Sequence, residues 1–341
     1  MSLAAAPAPA AALSAAEAAA RCPLCGTAAG DGRVLERVPV ARIWAELGRV
    51  WGARFSDGVR ARHSPQEETV LVECGGCGLR FFAPVVPGDA EFYAELSASS
   101  AYYSAEKWEF GVVRDRLARG ARVLDVGCGD GNFLRVLRGV AREAVGIDTN
   151  AEGVERARAE GLDARLALLD DFAAENAGQF DVVCAFHVLE HLPTVVPFLR
   201  AMGRCAAPGG AVVVSVPNRL RPAAQAQMEP LDFPPHHLSR WHPRQFARAG
   251  EEAGFALRDV AFQPPGLVDA RLGLRQGLAR VGGVAGAGGA AAGAMAGRIL
   301  GRLLFAGPLH PVMVRAGVAR ALGCHGLAMM AEFRTPARAG G

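Results

Sequence analysis

The chain has 341 residues, 51% of them hydrophobic and 21% charged, with a formal net charge of +3. That size and balance exclude a small disulfide-stapled scaffold and a solvated disordered chain, and leave room for one large domain with something smaller attached. The charge argues neither for nor against a nucleic-acid surface, and because Lys107 is the only lysine nearly all of the positive charge is arginine.

Residues 1–20, MSLAAAPAPAAALSAAEAAA, lack a positive leading region and carry early prolines. They read as a disordered Ala/Pro tail and not as a secretory signal. Residues 21–86 hold two Cys-x-x-Cys-Gly stretches, RCPLCGTA and VECGGCGLRF. Paired cysteines in a chain of this length point to metal binding in a reducing, cytoplasmic setting. Cys22, Cys25, Cys74 and Cys77 together predict a closed, structural four-cysteine zinc site. The glycine after each pair lets backbone amides turn toward the sulfurs. Redox chemistry is the competing reading, but a redox Cys-x-x-Cys usually occurs once, at a helix start. Cys128, Cys184, Cys205 and Cys324 read as buried apolar residues or a loop filler, with no chemistry assigned.

Residues 87–120 form a linker and lead-in helix, with Tyr102 and Tyr103 placed to close over a ligand or to pack in the core. From 121 to 267 the apolar runs RVLDVG, EAVGID, ARLAL, FDVVCAF, AVVVSVP and FALRDVAFQP alternate with helix-length segments such as AEGVERARAEG and HPRQFARAGEEAG. Short apolar strands separated by helices predict βαβ units and a mostly parallel α/β sheet. Residues 268–323 are rich in Ala, Gly and Leu with spaced arginines at 298, 302 and 315. A helical lid is the favoured reading and a peripheral membrane contact the second; the small-residue run is too weakly hydrophobic to span a bilayer. GLAMMAEFRT, within 324–335, supplies a last strand. No feature assigns an oligomeric state.

The stretch VLDVGCGDGNF places Gly127, Gly129 and Gly131 after the first strand of the core and before a helix. Asp148 ends the next strand, at the spacing where a carboxylate accepts hydrogen bonds from ribose hydroxyls. The loop is G-x-G-x-G, not the G-x-G-x-x-G of dinucleotide sites, and Asp125 precedes it. An acid there repels a pyrophosphate but suits an ammonium group. An adenosine joined to an amino acid without phosphate is S-adenosyl-L-methionine.

With LDVGCGDGNFL, GIDTN, GQFDVVCAFHVLEHL and APGGAVVVSVPNR in this order, the chain resembles the class I methyltransferases, from about residue 100 through the last strand. The resemblance implies a Rossmann-like seven-stranded sheet. It also implies that Gly127 and Gly129 pass under the cofactor, that Asp148 binds the ribose, that Asp170 or Asp171 lies near the adenine, and that His187 sits near the methionine part. CGLRFFAP running into such a core resembles bacterial small-molecule and sugar methyltransferases with an N-terminal zinc segment.

FHVLEHLP sets His187, Glu190 and His191 at i, i+3 and i+4, one face of a helical turn. LDFPPHHLSRWHP adds His236, His237 and His242 after the fifth core strand, where this family carries acceptor-binding residues. One reading makes a histidine the general base for an acceptor hydroxyl. The other has Glu190, His191 and one of His236 or His237 hold a second divalent metal that lowers the hydroxyl pKa. HVLEH resembles the E-x-x-E-H metal cluster of ubiquinone-pathway and small-RNA methyltransferases, with His187 in place of the first acid. The sequence therefore predicts a methyltransferase for a small-molecule, sugar or lipid acceptor, through O-methylation. Carbon methylation of a sugar and a non-catalytic zinc- and cofactor-binding module are the alternatives. A nucleic-acid acceptor is disfavoured for want of an aromatic-basic patch.

Overall fold

A computed structural model describes residues 12–98, 106–221, 228–283, 295, 296, 299 and 325–337. Tyr102, Tyr103, Cys324 and most of 284–323 lie outside the described residues. Eleven strands are named in chain order among them: β1 (Arg33–Pro39), β2 (Glu68–Glu73), β3 (Arg80–Ala83), β4 (Arg122–Val126), β5 (Glu143–Asp148), β6 (Asp163–Leu166), β7 (Phe180–Phe186), β8 (Ala206–Pro217), β9 (Ser239–Arg240), β10 (Ala256–Phe262) and β11 (Ala328–Arg334).

Seven of them form one sheet in the order β10-β11-β8-β7-β4-β5-β6. The predicted core strands all occur, and β4 pairs in parallel with β5 and β7, as β5 does with β6. The chain moves outward from β4 through β5 to β6 and then returns to the other side of β4 as β7. That reversal opens a crevice at the carboxyl ends of β4 and β7, the ordinary ligand position in such sheets. Central strand β4 is buried along nearly its whole length, which is why RVLDV reads as a continuous apolar run and not as an alternation.

The helices Asn132–Leu137 and Ala151–Ala159 close over this edge by burying Leu134, Val154 and Ala157 with Cys128 and Ala164. Each fully buried aliphatic side chain contributes about 1.5–3 kcal/mol by leaving water, so the loop that carries Cys128 is anchored by its own side chain. Cys184 and Cys205 are likewise buried.

A second sheet of four antiparallel strands runs β1-β2-β3-β9. The cysteine-bearing segment thus does not end at residue 86. Its sheet takes its last strand from the stretch just after His237, and its four strands fall in the same compact unit as β4, β5, β6 and β7.

The expected disordered tail needs correcting over residues 12–20. Ala15–Ala19 is helical, with a Ser14–Glu17 capping box, and buried Glu17 pairs with Arg37 at 3.2 Å. The reciprocal cap satisfies end groups that so short a helix cannot satisfy itself.

A smaller unit, Ser215–Glu229 with Val260–Met330, includes the helix Leu267–Gly283. Within it Arg221 lies 3.8 Å from buried Asp269, and Asn218 Nδ2 donates to the Gly326 carbonyl at 3.0 Å. Among the described residues no helix is long and apolar enough to cross a membrane.

Candidate active site and cysteine centre

The glycine loop begins where β4 ends. Gly127, Gly129 and Gly131 all have positive φ, at 79°, 54° and 81°. At Gly127 a Cβ would stand 2.8 Å from Val188 Cγ2, and at Gly131 it would meet Leu162 Cδ1 at 2.6 Å. These positions therefore need glycine for both conformation and space. The contact with Val188 also sets the loop directly against the residue after His187.

Asp148, at the end of β5, accepts from Gly129 N–H at 2.7 Å through Oδ2 and from Asn150 N–H at 2.7 Å through Oδ1. The carboxylate is aimed by backbone donors and keeps further lone pairs for a ligand. Asp125 is buried in β4. Burial raises its pKa to about 7, with Asp148 adding to the rise and Lys107 opposing it. A carboxylate held this far from water gains from a cation placed beside it. Asp170 and Asp171 are exposed in the first turn of Leu169–Glu175, and Asp170 pairs with Arg204 at 2.6 Å.

The HVLEH stretch comes together without the predicted helical face. His187 is the one non-glycine residue with positive φ (57°) among the described residues, and only a short 3₁₀ turn, Leu189–His191, follows. The chain turns sharply off β7 at this residue. Two carboxylates hold the His187 ring in this strained position. Its Nε2–H donates to Glu109 Oε1 at 2.7 Å, and Nδ1 lies 3.4 Å from Glu190 Oε1. Burial lowers the His187 pKa, but Glu109 and Glu190 reverse this and leave it raised.

The three other histidines are fixed through Nδ1. His191 Nδ1–H donates to the His236 carbonyl at 2.6 Å, with the Tyr93 hydroxyl 3.1 Å from the same nitrogen. His236 Nδ1–H donates to the Leu231 carbonyl at 2.8 Å, and His237 Nδ1–H to Asp232 Oδ1 at 3.3 Å. The rings pack at centroid distances of 4.3–4.9 Å, and one ring nitrogen of each lies within 4.8 Å of the others. With each Nδ1 carrying the proton, each Nε2 presents a lone pair.

Nε2 of His191 and Nε2 of His237 stand 3.9 and 3.8 Å from Glu190 Oε1. The Glu190 carboxylate is 1% exposed, and neither oxygen completes a hydrogen bond among the described residues. Although burial raises its pKa, the surrounding histidines bring it down to about 2. His191 is lowered to about 4, by burial first, and His236 well below its ordinary value for the same reason. Lone-pair nitrogens of His191 and His237 thus face a buried carboxylate that His187 Nδ1 approaches to 3.4 Å on one oxygen, an arrangement that a cation among them would satisfy.

Tyr93, Glu109 and Asp232 were not predicted. Glu109 left a signal: it is an acid on the Glu109–Phe110–Val113 buried face of the helix Trp108–Arg116. His242 is an N-cap, its Nδ1 accepting from Arg244 N–H at 3.3 Å at the start of Pro243–Ala253.

The cysteines form two matching knuckles. In each, the first cysteine's N–H donates to the carbonyl five residues on (Thr27, Leu79), and the glycine N–H returns to the first cysteine's carbonyl; all four bonds measure 2.9 Å. Gly26 and Gly78 have φ of 73° and 70°, as the turn requires. Cys22 and Cys77 sulfurs are 3.6 Å apart, and those of Cys25 and Cys74 3.5 Å. A tetrahedron with metal–sulfur bonds of about 2.3 Å has edges of about 3.8 Å, so the four sulfurs fit a zinc ion. The Cys77 thiol is lowered to about 5, chiefly by its hydrogen bond with Cys22.

Residues 104–260 match a family model described as a methyltransferase domain. The ubiquinone biosynthesis O-methyltransferase of Xanthomonas oryzae pv. oryzae (strain PXO99A) is 34% identical over 152 residues, 42% of this chain and 63% of that protein. Its namesake from Thiobacillus denitrificans is 31% identical over 155 residues, 41% of this chain and 67% of that protein. A crystal structure of an S-adenosylmethionine-dependent methyltransferase from Mesorhizobium loti aligns over 68% of this chain and 98% of its own, at 19% identity and a TM-score of 0.43. The chain belongs to the S-adenosylmethionine-dependent methyltransferases. It spans 63% of the length of the Xanthomonas relative.

Proposed function

We propose that the protein O-methylates a small-molecule acceptor, with Asp125, Asp148 and the Gly127–Gly131 loop holding the cofactor and the His191–His236–His237 cluster serving the acceptor hydroxyl. The bound cofactor supplies an electrophilic methyl group. Asp148 would accept from the ribose, Asp125 would receive the ammonium, and His187 would stand beside the methionine part. Asp170, paired with Arg204, or exposed Asp171 would lie near the adenine. The neighbouring ends of β4 and β7 align the acceptor with the methyl group, and alignment supplies most of the acceleration in a direct displacement.

The observation that carries the reading is the buried Glu190 carboxylate facing imidazole lone pairs. Three imidazoles and one carboxylate fit a borderline divalent ion, and such an ion would lower the acceptor hydroxyl's pKa. Glu190, His191, His236 and His237 would hold it, with Asp232, Tyr93 and the Leu231 and His236 carbonyls orienting the rings. A second reading rests on the His237–Asp232 pair, which has the form of a base and its orienting acid; there His237 removes the hydroxyl proton without metal. The four cysteines would hold a structural zinc. Sugar, lipid and phenolic hydroxyls are the acceptor classes to try.

The test follows labelled methyl from S-adenosylmethionine into these acceptors, using chelated protein with and without added Mg²⁺, Mn²⁺ or Zn²⁺. Transfer restored by an ion supports the first reading, and transfer indifferent to ions supports the second. Tight cofactor binding with no transfer to any acceptor supports the non-catalytic module. A product methylated at carbon overturns O-methylation.

A further inference from the structure

We propose that the four-cysteine centre is a clamp on the histidine site: joining its two knuckles fixes the spacing of the two chain stretches that carry the acceptor-side histidines. This rests on the reading of those histidines as the reacting site.

Each knuckle holds one stretch. In the first, the Pro23 carbonyl accepts from Val195 N–H at 2.9 Å. Val195 caps the helix Val196–Cys205 and follows His191 by one short turn. In the second, the Cys77 carbonyl accepts from Gln245 Nε2 at 3.0 Å. The chain leaving Cys77 becomes β3, which pairs with β9 directly after His237, Arg80 opposite Arg240 and Phe81 opposite Ser239.

Phe82 N–H donates to the Leu238 carbonyl at 3.0 Å, and Leu238 N–H to the Glu190 carbonyl at 2.7 Å. The Arg240 guanidinium lies 4.9 and 4.6 Å from the ring centroids of Phe82 and Phe233, which stiffens that junction. The first knuckle thus holds Val195, just past the HVLEH stretch, and the second holds the start of β9, through which Leu238 reaches Glu190. The four sulfurs are where the two knuckles meet. The glycine loop is tied elsewhere, its Gly127 and Cys128 N–H groups donating to the Ile147 carbonyl and Gly129 N–H to Asp148.

A metal joining the sulfurs therefore acts first on the acceptor side, and it meets the glycine loop only where Val188 packs against Gly127. Histidine nitrogens that must converge on one point tolerate little drift between their stretches, since positioning errors near 1 Å cost catalysis heavily.

The experiment compares full-length wild type, Cys22→Ser/Cys25→Ser and Gln245→Leu by hydrogen exchange. Zinc is measured by elemental analysis, and S-adenosylhomocysteine affinity by calorimetry. In the cysteine variant zinc should be lost and exchange over 188–196 and 236–240 should rise about tenfold or more, the mark of a local opening. Over 123–133 exchange should hold, with cofactor affinity within about twofold. Gln245→Leu should keep its zinc and loosen 236–240 alone.

Unchanged exchange at both stretches after zinc loss overturns the clamp. Simultaneous loss of cofactor affinity also overturns it, since the centre would then hold the whole fold. So does a wild type without zinc. Failure of the histidine reading shows separately, as methyl transfer that survives in His237→Ala whatever the exchange pattern.

Discussion

From Arg122 to Asp148 the proposed cofactor site is one uninterrupted stretch, built largely out of backbone: a strand, three glycines in left-handed conformations, and an acid aimed by Gly129 N–H. The histidine site draws Tyr93, Glu109, His187–His191 and Asp232–His237 from four distant stretches, and its geometry lies in side chains. Local backbone sites tolerate change around them, because their contacts form as the strand and helix form. Sites gathered from afar depend on every element that delivers a residue, so the histidine cluster is the more fragile of the two.

The largest effect should come from breaking the gathered half alone. His237→Ala should lower methyl transfer about a thousandfold, within the usual range for losing an acid–base or activating group. Calorimetry should find cofactor affinity unchanged in the same variant. Equal losses of both would mean that the two halves are one site.

Asp148→Ala tests the local half. Removing a charged acceptor of ribose hydroxyls should weaken S-adenosylhomocysteine binding roughly a hundredfold, two charge-assisted hydrogen bonds' worth. The histidine stretches should keep their exchange rates.

Glu109→Gln should cut transfer by about tenfold or more, the usual cost of losing a residue that orients a functional one. Cofactor binding should persist, and Glu109→Asp should recover part of the loss if the carboxylate positions His187. Full activity in Glu109→Gln would remove that residue from the site.

The smallest effect is a pH dependence at Asp125. Its folded pKa, about 7, is above the ordinary carboxyl value near 4, so the folded state binds the extra proton between those pH values. Stability should therefore fall as pH rises through that window, and Asp125→Asn should raise the melting temperature at pH 8 in the absence of cofactor. Cofactor binding should weaken below pH 7 and release a proton, which calorimetry in buffers of different ionisation enthalpy detects. A flat profile would mean that no cation meets Asp125.

This contrast also explains what could be read from the sequence. The core strands, the two Cys-Gly knuckles and the glycine loop follow from residues close together in the chain, where periodicity and glycine placement carry the signal. His191, His236 and His237 stood out by residue type. That His236 and His237 are buried, and that a β9 strand ties them to the cysteine segment, depends on pairings across more than a hundred residues. HVLEH misled through its spacing. It fits a helical face, yet His187 leaves β7 in a left-handed conformation and Glu109 arrives from another helix to hold it.

The left-handed backbone at His187 also narrows how this position can change over generations. Valine, isoleucine and threonine are penalised at φ 57°, and only glycine, asparagine and aspartate enter that conformation cheaply. Glycine would relax the turn but take away the imidazole that donates to buried Glu109, and aspartate would set a second acid against it. Of the residues that fit the turn, only asparagine also offers Glu109 a donor, so exchange here is confined to asparagine unless residue 109 changes with it.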